Sequence, residues 1–342
     1  MEFPKHTSLE ILAQIGVAGF LISLVSSLIV IFLSKKFRIF IDTADSAKPQ
    51  RFHFAPTPRS GGIGIFLSFV LVGLAGLEHT PASLYFLAGL AIIFFSGLME
   101  DFSASLSPKA RLFIQLVGVG VGVFGMGVVI TDLSPVVILP YGVGVAFSLF
   151  GIVGVCNAIN IIDGFNGLAG GICAMAFVAI GIAGAGDMFV LWVCVVGLGA
   201  TLGFLALNFP KGKIFLGDGG AYMLGFILAI LLAILSQSDR GISAWFGLLV
   251  MIYPVWEVVF SIIRRRLQKQ SAMQPDGKHL HTLIYQKVQD NPLTAVLIWL
   301  LNLPFMVLAV VFMHEAWVLI GLCGVFVVVY SGIYFVLSAS IK

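Results

Sequence analysis

The chain has 342 residues, 59% of them hydrophobic and 10% charged, with a mean hydropathy of +1.08 and a formal net charge of +3. That balance excludes an ordinary soluble enzyme and an extended disordered region, and it gives no reason to expect a nucleic-acid partner. The alternating ten-residue strands of a membrane β-barrel are missing, so the sequence predicts an all-α integral membrane protein.

In chain order, apolar stretches long enough to cross about 30 Å of hydrocarbon as helices run over 11–33, 60–77, 83–99, 112–130, 141–157, 168–185, 188–207, 220–237, 242–263, 294–313 and 316–338. These are eleven predicted helices, or ten if the weakest, 141–157, stays outside the membrane. The connections are mostly short, so 1–342 is expected to form one membrane-embedded domain. The first stretch follows MEFPKHTSLE rather than a basic leader, and is expected to be retained. Polar loops fall at about 34–59, 100–111, 158–167, 208–219 and 264–293.

Lys and Arg set the orientation. Of the 19 basic residues, 17 lie in the odd-numbered loops or at Lys342, leaving Lys5 and Arg240 on the other face. The N-terminus is therefore expected outside and the odd loops in the cytosol. The cysteines, Cys156, Cys173, Cys194 and Cys323, sit among apolar residues without metal-ligand spacing and read as core thiols.

The same odd loops hold the chemistry. The first ends in PTPRSGGIGIF (56–66), which carries Arg59. The next, LMEDFSASLSPKARL (98–112), places Glu100 and Asp101 where an apolar helix meets water. Such a pair can merely end a helix. Adjacent carboxylates repel unless a cation is close, however, so a divalent metal or Lys109 and Arg111 are expected beside them.

In NAINIIDGFNGLAGG (157–171), Asn157, Asn160, Asp163 and Asn166 recur every three residues. This is either turn chemistry or a polar stripe along one helical face, which is hard to bury without a polar ligand. In FLGDGG, Asp218 precedes a helix. It reads equally as an N-cap or as a metal ligand beside glycines whose N–H groups can approach an anion.

In MIYPVWEVVF (251–260), Pro254 would kink the ninth span, which either opens a groove toward lipid or is the ordinary proline of a membrane helix. Glu257 would cost roughly 2.5–3.5 kcal/mol at mid-bilayer, so it should face the bundle interior, orienting a site residue or bracing helices. The last odd loop, QPDGKHLHTLIYQ (274–286), holds His279 and His281. At i, i+2 they do not share a helix face, which excludes an HExxH zinc helix. They are either surface residues or, with nearby Arg264, counter-charges to phosphate. Hard oxygen and amide donors without thiolates suit Mg²⁺ bridging a phosphate.

Together and in this order, the motifs resemble the polyprenyl-phosphate N-acetylhexosamine-1-phosphate transferases. That family includes the enzymes that start O-antigen and teichoic acid synthesis and the phospho-MurNAc-pentapeptide translocase. The resemblance runs from Pro56 to His281. The family's Asp-Asp pair, Leu-Ser and basic residue correspond to Glu100-Asp101, Leu106-Ser107 and Arg111. Its NxxNxxDGxDGLA pattern is matched at Asn157, Asn160, Asp163, Gly164, Gly167, Leu168 and Ala169, with Asn166 at the second Asp. Its FLGDxG motif begins at Phe215, and its histidine motif falls at His279 and His281, with Thr282 where many members have a further His. The Glu-Asp and Phe-Asn-Gly variants look like the branch that initiates O-antigen or capsule units.

The resemblance implies transfer of HexNAc-1-phosphate from a UDP-HexNAc, carrying GlcNAc or a 6-deoxy-HexNAc, to undecaprenyl phosphate, with UMP released. It implies Mg²⁺, with Mn²⁺ as a substitute, held by Asp218 and Asn160. Asp101 would engage the lipid phosphate, as its base, with Glu100 beside it. Asp163, Asn157 and Asn166 would fix the uridine. His279, His281, Arg59, Lys109, Arg111 and Arg264 would meet the phosphates or sugar. A bacterial cytoplasmic membrane location with a cytosolic active site is implied, and a homodimer is compatible with it. The competing expectation is a secondary transporter of a nucleotide sugar or other anion, which predicts midplane polar residues and an internal repeat. The sequence displays no repeat, and its carboxylate clusters sit at one interface.

Overall fold

The computed structural model describes residues 9–42, 57–76, 80–103, 106–237, 241–269 and 277–340. Lys5, Arg240 and Lys342, with parts of the polar loops at about 34–59, 100–111 and 264–293, lie outside the described residues.

Each of the eleven apolar stretches forms a helix or a bent pair. In chain order the elements begin with α1 (Leu9–Phe37) and β1 (Ile41–Asp42), which pairs antiparallel with β2 (Thr57–Pro58). Next come α2 (Gly62–Gly76), α3 (Pro81–Ser103), α4 (Pro108–Met126) and the antiparallel pair β3 (Asp132–Leu133) and β4 (Val137–Ile138). They are followed by α5 (Tyr141–Ile162), α6 (Leu168–Ala183), α7 (Met188–Asn208) and α8 (Gly217–Leu235). The last are α9 (Ala244–Val250), α10 (Ile252–Leu267), α11 (Leu280–Val288), α12 (Asn291–Val311) and α13 (Ala316–Ser340). Among the described residues, eight helices are long and apolar enough to cross a bilayer, or nine if α9 and α10 form one bent span; α6 and the apolar part of α2 are shorter. The stretch at 141–157 is a full-length helix that continues to Ile162.

Helix ends follow local chemistry. Ser107 Oγ accepts from Ala110 N at 3.2 Å, and Pro108 occupies the first position of α4, where no intrahelical N–H is needed. Asp187 caps α7 through Val190 N (2.9 Å), and Asp290 caps α12 through Leu293 N (2.8 Å). α8 is the central helix, apolar on every face as burial on all sides demands, with α2, α3, α5, α6 and α9 packed around it.

The ninth span bends by 78° at Met251, between α9 and α10. Pro254 does not kink a continuous helix as the sequence suggests. It sits in the first turn of α10, where its missing N–H costs no hydrogen bond, and so begins the second segment.

Candidate active site

The site begins with a close approach of backbones. Gly217 has φ +79°, and a Cβ there would lie 2.6 Å from Asp101 Oδ2 and collide with the Arg59 carbonyl. Gly97 on α3 faces the first turn of α8, and a Cβ there would collide with the Gly219 amide. Glycine at both positions lets α3 touch the start of α8. Asp101 uses this contact. Its Oδ1 accepts from Asp218 N at 2.9 Å and its Oδ2 from Gly219 N at 3.0 Å. A carboxylate from α3 therefore satisfies the unpaired amides at the positive end of α8.

Asp218 is accordingly not the N-cap that the sequence allowed; it lies inside the first turn of α8. Its Oδ1 accepts from Asn160 Nδ2 (2.9 Å) and Arg59 Nη2 (3.4 Å), and its Oδ2 from Arg111 Nη1 (3.2 Å). Arg111 also lies 3.8 Å from Glu100 Oε1, and Arg59 lies 3.9 Å from Asp101 Oδ1. Tyr222 supports the arrangement from α8: Arg111 sits 5.6 Å from its ring centre, and its hydroxyl donates to Asn160 Oδ1 at 3.4 Å. Arg111 and Arg59 are thus the cations beside the acidic pair. Lys109 is exposed on the first turn of α4 and makes no ion pair with those carboxylates.

The polar stripe is divided rather than continuous. α5 ends at Ile162, so only Asn157 and Asn160 share a helical face; Asp163 ends the helix and Asn166 lies in the turn beyond. Asn157 donates both amide protons, to Gln115 Oε1 (2.8 Å) and to Val153 O (2.8 Å), and so ties α5 to α4. Asn166 donates from its backbone N to Asn291 Oδ1 (2.8 Å) and from Nδ2 to Pro210 O (3.0 Å). Asn208 joins the same two loops by accepting from Gly167 N (2.6 Å) and donating to Ile214 O (2.8 Å). Asn157 and Asn166 are loop and helix fasteners in this arrangement, and only Asn160 reaches Asp218. The Asp163 carboxyl accepts no hydrogen bond among the described residues. Burial pushes its pKa from the ordinary 3.8 up to about 7, against the pull of Arg59 and with a further push from Asp218.

A second polar cluster adjoins the Asp163–Asn166 turn. His279 precedes α11 and His281 lies in its first turn, both buried. Because His279 stands outside the helix, the i, i+2 pair comes face to face, with rings 5.2 Å apart and 11° from parallel. Neither is the surface residue that the loop composition permits. His279 Nδ1 is 2.9 Å from Glu257 Oε1 and 3.3 Å from Ser261 Oγ; His281 Nδ1 is 3.0 Å from the Tyr253 hydroxyl. Glu257 also accepts from Tyr330 OH (2.9 Å) and Leu280 N (3.2 Å) at Oε2. Phe165 packs edge-on against His281 at 5.6 Å, which links the cluster to the end of α5. Burial pushes the His281 pKa down to about 3, with Glu257 opposing and His279 adding, so its imidazole is neutral at pH 7.

Arg264 does not join Asp218. It donates from Nη2 to Ser261 Oγ (3.4 Å), lies 5.8 Å from the Tyr334 ring centre, and borders a cavity of about 720 Å³ between α10, α11 and α13. Tyr222, Tyr253, Tyr330, Gln115, Asn208 and Asn291 escape the sequence reading. For Gln115 and Asn208, a lone amide inside or ending an apolar helix was the available signal.

Among the described residues no three of His, Cys, Asp and Glu converge as a ready-made metal cage. Mg²⁺ needs less, since one or two carboxylates and substrate phosphates usually hold it. Asp218 and the Asn160 carbonyl are hard oxygen donors of that kind, and Glu100 Oε2 is buried without a hydrogen-bond partner. Among the described residues, four carboxyl groups, at Glu100, Asp101, Asp163 and Asp218, share two guanidinium groups here. At full ionisation they are short of positive charge, which suits a cation and, through the cation and the arginines, a diphosphate.

Residues 83–236 match the model of glycosyl transferase family 4. The chain is 31% identical over 321 residues to the probable undecaprenyl-phosphate N-acetylglucosaminyl 1-phosphate transferase of Bacillus subtilis, a match covering 92% of this chain and 89% of that protein. It is 28% identical over 257 residues to the undecaprenyl-phosphate alpha-N-acetylglucosaminyl 1-phosphate transferase of Thermotoga maritima, covering 73% and 74% of the two chains. It is 29% identical over 291 residues to the decaprenyl-phosphate N-acetylglucosaminephosphotransferase of Mycobacterium tuberculosis, covering 72% and 70%. The matched region contains every charged residue gathered around Asp218 except Arg59. The chain belongs to the polyprenyl-phosphate N-acetylhexosamine-1-phosphate transferases of glycosyl transferase family 4 and is a membrane phosphoglycosyl transferase.

Proposed function

We propose that this protein transfers HexNAc-1-phosphate from a UDP-HexNAc to undecaprenyl phosphate, yielding undecaprenyl-diphospho-HexNAc and UMP, as the first membrane step of an O-antigen or related surface polysaccharide. The observation that carries this reading is the Asp218 carboxylate, fixed at the start of α8 and faced by Arg59, Arg111 and Asn160. The relatives' names support a polyprenyl phosphate acceptor and favour GlcNAc as the first sugar to test, ahead of a 6-deoxy-HexNAc. The excess of Lys and Arg in the odd loops supports a cytoplasmic-membrane enzyme whose site faces the cytosol. A transporter would need midplane polar residues; the charged groups around Asp218 instead gather at helix ends.

In this mechanism a lipid phosphate oxygen attacks the sugar-linked β-phosphorus. A new phosphoanhydride bond forms, the bond to the α-phosphate breaks, and UMP leaves with that electron pair. Positioning and charge neutralisation supply most of the rate in such transfers. Asp218 and Asn160 would hold Mg²⁺, which when bound neutralises diphosphate charge. Arg59 and Arg111, resting on Asp218 here, turn to the phosphates. A phosphate monoester has a second pKa of about 6, so at pH 7 the lipid phosphate needs little help from a general base. That frees Asp101 from the base role; hydrogen-bonded to two α8 amides, it holds Asp218 in place. Asp163 faces the uridine, and His279 and His281 the diphosphate or sugar.

The test is UMP release by purified protein in nanodiscs, supplied with undecaprenyl phosphate, Mg²⁺ and separately UDP-GlcNAc, UDP-GalNAc or a 6-deoxy analogue. Lipid- and Mg²⁺-dependent UMP from one donor is the expected result. A folded protein that neither binds any UDP-sugar nor releases UMP contradicts the proposal.

A further inference from the structure

Glu257 is fully buried on α10, and among the described residues no Lys or Arg pairs with it. Its two oxygens have different main partners. Oε2 accepts from Tyr330 OH at 2.9 Å, Oε1 lies 2.9 Å from His279 Nδ1, and Leu280 N is shared, 3.2 Å from Oε2 and 3.4 Å from Oε1. A carboxylate is only an acceptor, so the proton in the short contact belongs on Nδ1. His281, stacked on His279, is held by a different group, the Tyr253 hydroxyl. Both rings thus turn Nδ1 toward α10 and Nε2 away from it; the Nε2 of His281 lies 3.8 Å from where a Cβ on Gly164 would stand, beside Asp163.

We infer that Glu257 is a positioning residue for the transfer reaction: it fixes the Nδ1–H tautomer of His279, leaving Nε2 as the one ring nitrogen able to exchange a hydrogen bond or proton with the donor's phosphate or sugar. This rests on the function proposed above for the substrate, but the hydrogen-bond assignment stands independently of it. Tyr330 extends the device to α13 by holding the carboxylate from behind. The charged and titratable groups facing His279 are Glu257 and, through Ser261, Arg264 from α10, His281 from α11, and Tyr330 from α13.

The arrangement predicts an unusual outcome for Glu257→Gln. Tyr330 OH donates to the Oε2 position and the shared Leu280 N lies nearer to it than to Oε1, so the new amide carbonyl belongs there. Its NH₂ then faces His279 Nδ1 and donates to it, which forces the imidazole into the Nε2–H tautomer. The shape of the residue is kept while the orientation of the histidine proton is reversed.

The experiment is ¹⁵N NMR of histidine-labelled full-length protein in nanodiscs at a pH where the imidazole is neutral, with His279 assigned by its loss in His279→Gln. UMP release is measured on the same samples. The wild type is expected to show a protonated Nδ1 and an unprotonated Nε2, and Glu257→Gln the reverse. Glu257→Gln should lower kcat about tenfold to a hundredfold with the lipid KM unchanged. The double variant Glu257→Gln/His279→Gln should be no slower than His279→Gln, because the two residues act as one unit. Tyr330→Phe leaves the Oε1 contact intact and should lower kcat less than Glu257→Gln. A wild-type His279 already in the Nε2–H form, or single-variant losses that multiply, would overturn the inference. Should the wild type release no UMP with any donor, the function fails while the NMR result still decides the role of Glu257.

Discussion

The two polar clusters at the active end of the bundle are built on opposite principles. Around Asp218, Asp101 is sealed at 1% exposure, but the groups that pair with one another remain partly open: relative exposures are 14% for Asp218, 23% for Arg111 and 35% for Arg59. Around Glu257 the corresponding values are 0% for the carboxylate and 5% for His279. Partly hydrated charges can exchange partners cheaply, whereas a sealed pair that loses one partner strands an uncompensated buried charge. Under the proposed function, the open cluster is where phosphates and a cation would displace the resting arginines. The sealed cluster holds its histidines in one geometry before substrate arrives.

Asp218→Asn should show the largest effect. It should cut turnover by about a thousandfold and leave thermal stability near wild type, because it relieves crowding among four carboxyl groups. A large fall in Tm would make this cluster a structural ion-pair network like the other and erase the contrast.

Asn157→Leu probes the boundary between site and scaffold. It removes two hydrogen bonds and leaves the buried Gln115 without its Asn157 partner, so it should destabilise the protein by about 1–3 kcal/mol. The KM for UDP-sugar should change little, and a rise in KM without loss of stability would return Asn157 to the substrate.

Asp163→Asn sharpens the contrast through pH. A native pKa of about 7 against an unfolded 3.8 means that the native state keeps a proton that the unfolded state has released. Wild-type stability should therefore fall relative to Asp163→Asn as pH rises from about 4 to about 7, and the gap should be constant above that. Metal-free thermal denaturation across this range checks the sign; a gap that shrinks with rising pH contradicts it. Lys109→Ala, on the exposed turn of α4, should alter turnover less than about twofold, the size expected where no buried interaction is lost.

The features that depend on hydropathy were legible in the sequence. All eleven apolar stretches are helices, and the odd loops do meet, as the contacts from Arg59 to Asp218 and from Asn166 to Pro210 and Asn291 demonstrate. Features that depend on where one helix touches another were not legible. Nothing local to Glu100-Asp101 reveals that Asp101 meets the amides of α8, because that contact requires Gly97 and Gly217 on separate segments. The three-residue spacing of Asn157 to Asn166 suggested a single face, but the helix stops at Ile162 and the last residues turn toward neighbouring loops. Glu257 stood out as a charge inside an apolar span, and it does face the bundle interior, contacting His279 through one oxygen and Tyr330 of α13 through the other. Tyr330 and Tyr253 carried no signal, since tyrosine in a membrane helix is ordinary until its hydroxyl partner is known.

The most direct test of the central claim follows the phosphorus. Protein in nanodiscs with undecaprenyl phosphate and Mg²⁺ is given UDP-GlcNAc labelled with ³²P at the β-phosphate, or the corresponding labelled donor if another sugar is preferred. The account predicts that label enters the lipid phase in step with unlabelled UMP, and that Asp218→Asn slows both together by about a thousandfold. Label retained in released UDP would mean that the sugar moves without its phosphate, and the proposed transfer would be wrong.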